Sequence, residues 1–132
     1  MDRHKDAEFL ATNKDSFDLV GDSPVKKLPG NGSIVKAIEV SSQRRATNVG
    51  KPSAFLAKLI LSKHGNIKNP LRTLMVGDRL DTDIAFANIG GMSSALVLTG
   101  VTTVDKIIGI DEEESMGEPM PDIIFPHAGL MA

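Results

Sequence analysis

The 132-residue chain has no cysteine, no tryptophan and no tyrosine, and its formal net charge is only −2. Without cysteine there are no disulfides to staple a small fold and no thiolates to hold a metal. Five phenylalanines are the whole aromatic complement, which leaves no platform on which bases could stack, and a charge so close to zero leaves no basic footprint for nucleic acid. No stretch approaches the ~20 consecutive apolar residues of a membrane span. The opening Met1-Asp2-Arg3-His4-Lys5-Asp6 is charged and leads into no apolar core, so no secretory signal is read there. The expectation is a cytoplasmic protein with neither nucleic acid nor membrane as partner. Internal repeats and low-complexity tracts are also absent. So is a Gly-x-Gly-x-x-Gly phosphate loop, which weakens a nucleotide-binding or receiver-like reading.

Of what is present, the run Met75-Val-Gly-Asp-Arg-Leu-Asp-Thr-Asp-Ile84 is the most informative. Thr73-Leu74-Met75-Val76 is short, apolar and β-prone, and Ile84-Ala85-Phe86-Ala87 restarts with helical character, so Gly77 and Asp78 fall where a strand hands over to a helix. Ligands of open α/β sheets bind at that edge. An aspartate there suits a hard cation such as Mg²⁺, which takes oxygen ligands and keeps waters for a phosphorylated substrate to displace. Asp is equally a favoured helix N-cap, so the Gly-Asp pair alone leaves both readings standing. Lys51 shifts the balance. It lies in Val49-Gly-Lys-Pro-Ser53, again a β-like end turning into an apolar helix. A fixed cation near a metal-binding carboxylate is what phosphoryl transfer asks for, because charge develops on the transferring oxygens.

Ala11-Thr12-Asn13-Lys14-Asp15, Leu28-Pro29-Gly30-Asn31-Gly32-Ser33, Gly50-Lys51-Pro52-Ser53, Leu74 to Ile84, Leu96-Val97-Leu98-Thr99-Gly100-Val101 and Pro121-Asp122 form an ordered set. In that order and spacing the set resembles the haloacid dehalogenase superfamily of phosphatases, specifically the 4-nitrophenylphosphatase and phosphoglycolate phosphatase type. The resemblance implies an α/β fold, a Rossmann-like three-layer αβα core, with the end of a cap domain over residues 1–48 and the C-terminal half of the core over 49–132. It implies Mg²⁺ as cofactor and a small phosphorylated metabolite as substrate. It assigns the catalytic lysine to Lys51, the metal-ligating aspartate to Asp78 and a supporting aspartate to Asp83, with Asp81 an acidic position on the rim of the cleft.

The family's first motif is Asp-x-Asp-Gly, whose first aspartate is the nucleophile and whose second is the general acid and base. No Asp-x-Asp-Gly occurs in these residues. An aspartyl-phosphate route needs its nucleophile, and removing the attacking group of a hydrolase costs about 10⁶ in turnover. The chain is therefore expected to be a truncated hydrolase, inactive by itself. The alternative is a non-catalytic binding or interaction module that keeps part of the fold. In the family the nucleophile strand pairs with the segment matching 73–77, so its absence implies an open sheet edge, and with it marginal stability or self-association.

Element by element, the pattern predicts a strand over 7–13, an irregular stretch through Gly30, a helix over 33–42 and a helix from Ser53 to about Gly65. Beyond these it predicts a strand over 73–77, a helix over 82–89 broken by Gly90-Gly91, a strand over 94–99, a short helix capped by Thr102 or Thr103, and a last strand at 122–125. Asp111 to Glu118 reads as a solvated acidic loop. His4, His64 and His127 read as structural rather than catalytic, and Asn13 and Asp15 as residues that close a local turn.

Overall fold

A computed structural model describes residues 6–21, 26–63, 67–109, 117 and 119–131. His4, His64 and, Gly117 apart, the acidic stretch 111–118 lie outside the described residues. The chain divides between Lys51 and Pro52 into two compact units.

In the first unit, strand β1 (Leu10–Ala11) pairs in parallel with β4 (Thr47–Asn48). The strand predicted over 7–13 is thus only two residues long in the ladder. Its end is local in origin: the Asn13 side chain accepts the N–H of Asp15 at 3.1 Å, an Asx-turn that bends the chain away from its partner. The stretch read as irregular contains an antiparallel hairpin, β2 (Phe17–Val20) with β3 (Lys26–Pro29), in register from Phe17↔Pro29 to Val20↔Lys26. The Lys26-Lys27 pair and a terminal proline hide it from a hydrophobic-alternation pattern. The Lys27 ammonium lies 4.6 Å from the centre of the Phe17 ring, a cation–π contact across the ladder.

Helix α1 (Asn31–Ser42) follows Gly30 directly and ends at Gln43, whose φ of 57° is left-handed. None of its residues is fully buried; Ile34, Ile38 and Val40 are exposed. Its Glu39 accepts the Ala46 N–H at 2.9 Å and pairs with Lys36 at 3.4 Å and Arg45 at 4.0 Å, tying the helix to the strand that follows.

The second unit holds the larger core. Helix α2 (Ala54–Lys63) leads to a short 3₁₀ turn (Pro70–Arg72) capped by Asn69, then β5 (Leu74–Gly77), a π-type turn (Leu80–Ile84), α3 (Ala85–Gly90), β6 (Ser93–Val97), α4 (Val104–Ile108), β7 (Ile123–Phe125) and a closing 3₁₀ turn (Ala128–Met131). β5, β6 and β7 form a parallel sheet in that order. Central β6 is buried from Ser94 to Val97, as a parallel strand covered on both faces should be. Ser94 is tolerated there because Asp122 satisfies it: Asp122 Oδ2 accepts the Ser94 N–H at 2.7 Å and the Oγ–H at 3.1 Å, and Ser94 Oγ accepts the Asp122 N–H at 3.0 Å. That exchange pins β7 to β6.

Two apolar clusters cement the unit. Ala57, Phe86, Ala87 and Met92 join α2 to α3, while Leu80, Ile84 and Leu96 join the π-type turn to β6. Gly91 takes φ 63° as the left-handed residue that ends α3, the stop expected of the glycine pair. Thr103 caps α4 by accepting the Lys106 N–H, as one of the two predicted threonines. Among the described residues β5 pairs on one side only, with β6, and Leu74 and Val76 are exposed.

Candidate active site

The helix predicted from 82 begins as a wider turn, and that difference shapes the site. The Asp83 and Ile84 N–H groups both donate to Arg79 O, at 3.0 and 3.1 Å, and the second of these is the i→i+5 bond of a π turn. Such turns recur at functional sites because they displace one residue from regular helical spacing. Here Asp83 is 4% exposed, and its Oδ2 accepts the backbone N–H of Asp78 at 3.1 Å and of Arg79 at 3.2 Å. The carboxylate supplies acceptors for the donors that open the turn, as an N-capping group would. Gly77 completes the arrangement, because a Cβ there would strike the Asp83 side chain.

Asp78 is half-buried at the carboxyl end of β5. Its Oδ2 accepts the Val101 N–H at 2.8 Å, and its main-chain carbonyl accepts the Thr102 N–H at 3.0 Å. Oδ1 makes no hydrogen bond among the described residues. Asp81 is directed elsewhere: its oxygens take Arg79 Nε at 3.2 Å and a terminal guanidinium nitrogen at 3.1 Å, a two-point pairing in which Arg79 is buried and the Asp81 side chain half exposed. The three carboxylates of the run therefore separate by partner. Asp83 turns onto the backbone, Asp81 onto Arg79, and Asp78 keeps one oxygen with no hydrogen bond among the described residues.

Lys51 belongs to the first unit, half-buried in the turn after β4. Asn48 braces that turn, accepting the Gly50 N–H at 3.3 Å and donating to the Gly50 carbonyl at 3.1 Å, while Gly50 packs where a Cβ would meet the Thr12 carbonyl. Of the residues singled out from sequence, Asp78 and Asp83 are brought into direct contact and Lys51 is held on its own turn. The sequence reading missed the loop 100–102 as the donor of hydrogen bonds to Asp78, and the Arg79–Asp81 pair. Only the latter left a trace in the sequence, as opposite charges two positions apart.

One oxygen from Asp78 fits a hard cation as a single ligand. Among the described residues no group of three or more His, Cys, Asp or Glu side chains converges. Mg²⁺ is commonly held by one or two carboxylates, with waters and phosphate oxygens filling its octahedron, so Asp78 fits as a contributor rather than as a complete cage. A cleft of about 510 Å³ in the first unit is lined by Lys14, Ser16, Ser33, Lys36, Glu39 and Arg45 among others. Its carboxylate is already matched to two cations, and the cleft offers no acid–base pair.

Residues 48–126 match the sequence profile of the HAD-hydrolase-like family. The chain belongs to that haloacid dehalogenase-like family. Among curated proteins it is 41% identical over 113 residues to a glycerol-3-phosphate phosphatase of Gallus gallus, covering 85% of this chain and 35% of the relative. It is 42% identical over 99 residues to the chloroplastic phosphoglycolate phosphatase 1A of Arabidopsis thaliana, covering 75% and 26%. The chain thus spans about a quarter to a third of the length of these curated relatives. Of solved structures, the 4-nitrophenylphosphatase of Thermotoga maritima superposes with a TM-score of 0.69 at 33% identity over 97% of this chain and 45% of its own. A glycerol phosphate phosphatase of Mycobacterium tuberculosis in complex with magnesium gives 0.66 at 32% identity over 92% and 33%. The fold is therefore the α/β fold of HAD-family phosphatases, present in part, and the resemblance to the nitrophenyl- and phosphoglycolate-phosphatase type holds. No helix among the described residues is long and apolar enough to cross a membrane.

Proposed function

We propose that this chain is the C-terminal portion of a cytoplasmic, Mg²⁺-dependent phosphatase of small phosphate monoesters, with residues 1–48 the end of its cap and 49–132 the second half of its core. The observation that carries this reading is Asp78, fixed at the end of β5 by the Val101 N–H, with its second oxygen making no hydrogen bond among the described residues. Support comes from the family and from relatives named as phosphatases.

In this scheme Asp78 Oδ1 is a metal ligand. Asp83 holds the turn that carries Asp78, through the two N–H groups it accepts. Lys51 supplies a fixed positive charge to the phosphoryl oxygens as negative charge develops on them. The bound Mg²⁺ would add electrostatic stabilisation of the same oxygens. The nucleophile and general acid come from an Asp-x-Asp-Gly segment that these 132 residues do not contain. A non-catalytic module has two observations in its favour, the same missing motif and the absence of a three-donor metal cluster among the described residues.

Complementation separates the two. The chain with Mg²⁺ and 4-nitrophenyl phosphate should give no turnover above the buffer blank. Addition of the N-terminal half of a related 4-nitrophenylphosphatase, bearing Asp-x-Asp-Gly, should restore Mg²⁺-dependent turnover that Lys51→Ala or Asp78→Ala removes. Restored turnover indifferent to both substitutions would refute the assignment. Turnover by the chain alone that Asp78→Ala abolishes would refute the absence of a nucleophile.

A further inference from the structure

Gly100 lies far beyond Asp78 in the chain, in the loop between β6 and α4. Its φ is not in the left-handed region, so its own backbone does not require glycine. What requires it is space. The three atoms nearest to a Cβ built at this position are Oδ2, Cγ and Cβ of Asp78, and all three would overlap it. The next two residues bond to Asp78: Val101 N–H to Oδ2 at 2.8 Å and Thr102 N–H to the carbonyl at 3.0 Å.

From this geometry, and resting on the proposed role of Asp78 as a metal ligand, we infer that Gly100 is a positioning residue. It lets the 100–102 loop close onto the aspartate, commits Oδ2 to the protein, and presents Oδ1 as the one coordinating oxygen. Asp78 is thereby made a monodentate ligand in a single rotamer. A carboxylate free to rotate would chelate through both oxygens or turn away, and the ordering cost would fall on every binding event. Outer partners that orient a ligating side chain typically change metal affinity about 10–100-fold when removed.

The test is a double-mutant cycle on the full chain, joined to a metal titration. Gly100→Ala should raise the unfolding constant about tenfold or more in the parent, as overpacking does, and leave it within about twofold in an Asp78→Gly background, where the obstructing side chain is gone, Cβ included. A Gly100→Ala chain that folds only when Asp78→Gly is also present counts the same way. Equal damage in both backgrounds, or failure to fold in both, would overturn the inference. In the titration, Mn²⁺ is the probe and paramagnetic broadening of amide resonances is the readout. Broadening in the parent should centre on Asp78 and Val101, with a midpoint that Gly100→Ala raises about tenfold or more and the exposed control Thr99→Ala leaves in place. A midpoint unmoved by Gly100→Ala overturns the positioning role alone. Absence of broadening around Asp78 in the parent overturns the metal assignment and the inference with it.

Discussion

The Asp83 carboxylate accepts the backbone N–H of Asp78 at 3.1 Å, so the buried aspartate fixes the main chain of the half-buried one. The same oxygen takes the Arg79 N–H at 3.2 Å. Replacing Asp83 by alanine strands both donors, and a buried unsatisfied group costs about 1–3 kcal/mol. Asp83→Ala is expected to lose at least that much in urea denaturation of the full chain, while Asp83→Asn, which keeps an oxygen acceptor, loses less. A parental urea midpoint for the alanine variant would show that the turn does not depend on Asp83.

Glu39 should make the first unit sensitive to acid. Its carboxyl is held below its ordinary value of 4.5, first by the Ala46 N–H and then by Lys36 and Arg45. A lowered folded-state pKa means that the ionised form is favoured by folding, so the contribution is present above the unfolded value and is lost as pH falls through the folded one. As pH falls from that ordinary value through the lowered one, the Ala46 amide should lose protection from exchange in the parent. In Glu39→Gln the step should disappear, and a step of unchanged size would assign it to another carboxylate.

Metal binding by the chain alone should be weak. Mg²⁺ needs more than a single protein oxygen to compete with its own hydration; Asp78 Oδ1 is the one ligand proposed from this chain, and no group of three or more His, Cys, Asp or Glu side chains converges among the described residues. Calorimetry with Mg²⁺ is expected to give a dissociation constant well above the micromolar range, further weakened by Asp78→Asn. Micromolar binding would mean that these residues contain a fuller ligand set than the geometry supports.

The outer edge of β5 should be reactive. Its one partner among the described residues is β6, and Leu74 and Val76 are exposed beside the unpaired backbone. An open, apolar edge is a template for another strand. Light scattering is expected to detect concentration-dependent association that Val76→Lys suppresses, and the β5 amides facing away from β6 should exchange quickly in the monomer. A monodisperse monomer with strong protection throughout 74–77 and a sharp melt would contradict this.

Much of the second unit was legible beforehand, because its signals are local. The apolar run of α2, the β-prone segments at 74–77 and 93–97, the Gly90-Gly91 stop and the threonine cap of α4 each depend on a few neighbouring residues. The β2–β3 hairpin escaped notice because its strands are mostly exposed, and a solvated ladder need not alternate apolar with polar. β1 came out shorter than predicted because a strand lasts only as long as its partner, and the Asn13 turn ends the pairing.

The sequence by itself determined that Asp78 follows a strand and precedes a helix, that Lys51 occupies a similar turn, and which family the motif order resembles. These are matters of residue type and short spacing, carried by the chain wherever it goes. Only the tertiary structure decided how the three acidic residues divide their work, that the helix after Asp78 opens as a π turn, and that Gly100 and Val101 return to clasp the Asp78 carboxylate. The physical reason is that a hydrogen bond or a steric exclusion depends on distance in space. Residues 78 and 100 become neighbours only because β5 and β6 lie side by side in register, Gly77 opposite Leu96, which sets the loops at their carboxyl ends next to each other.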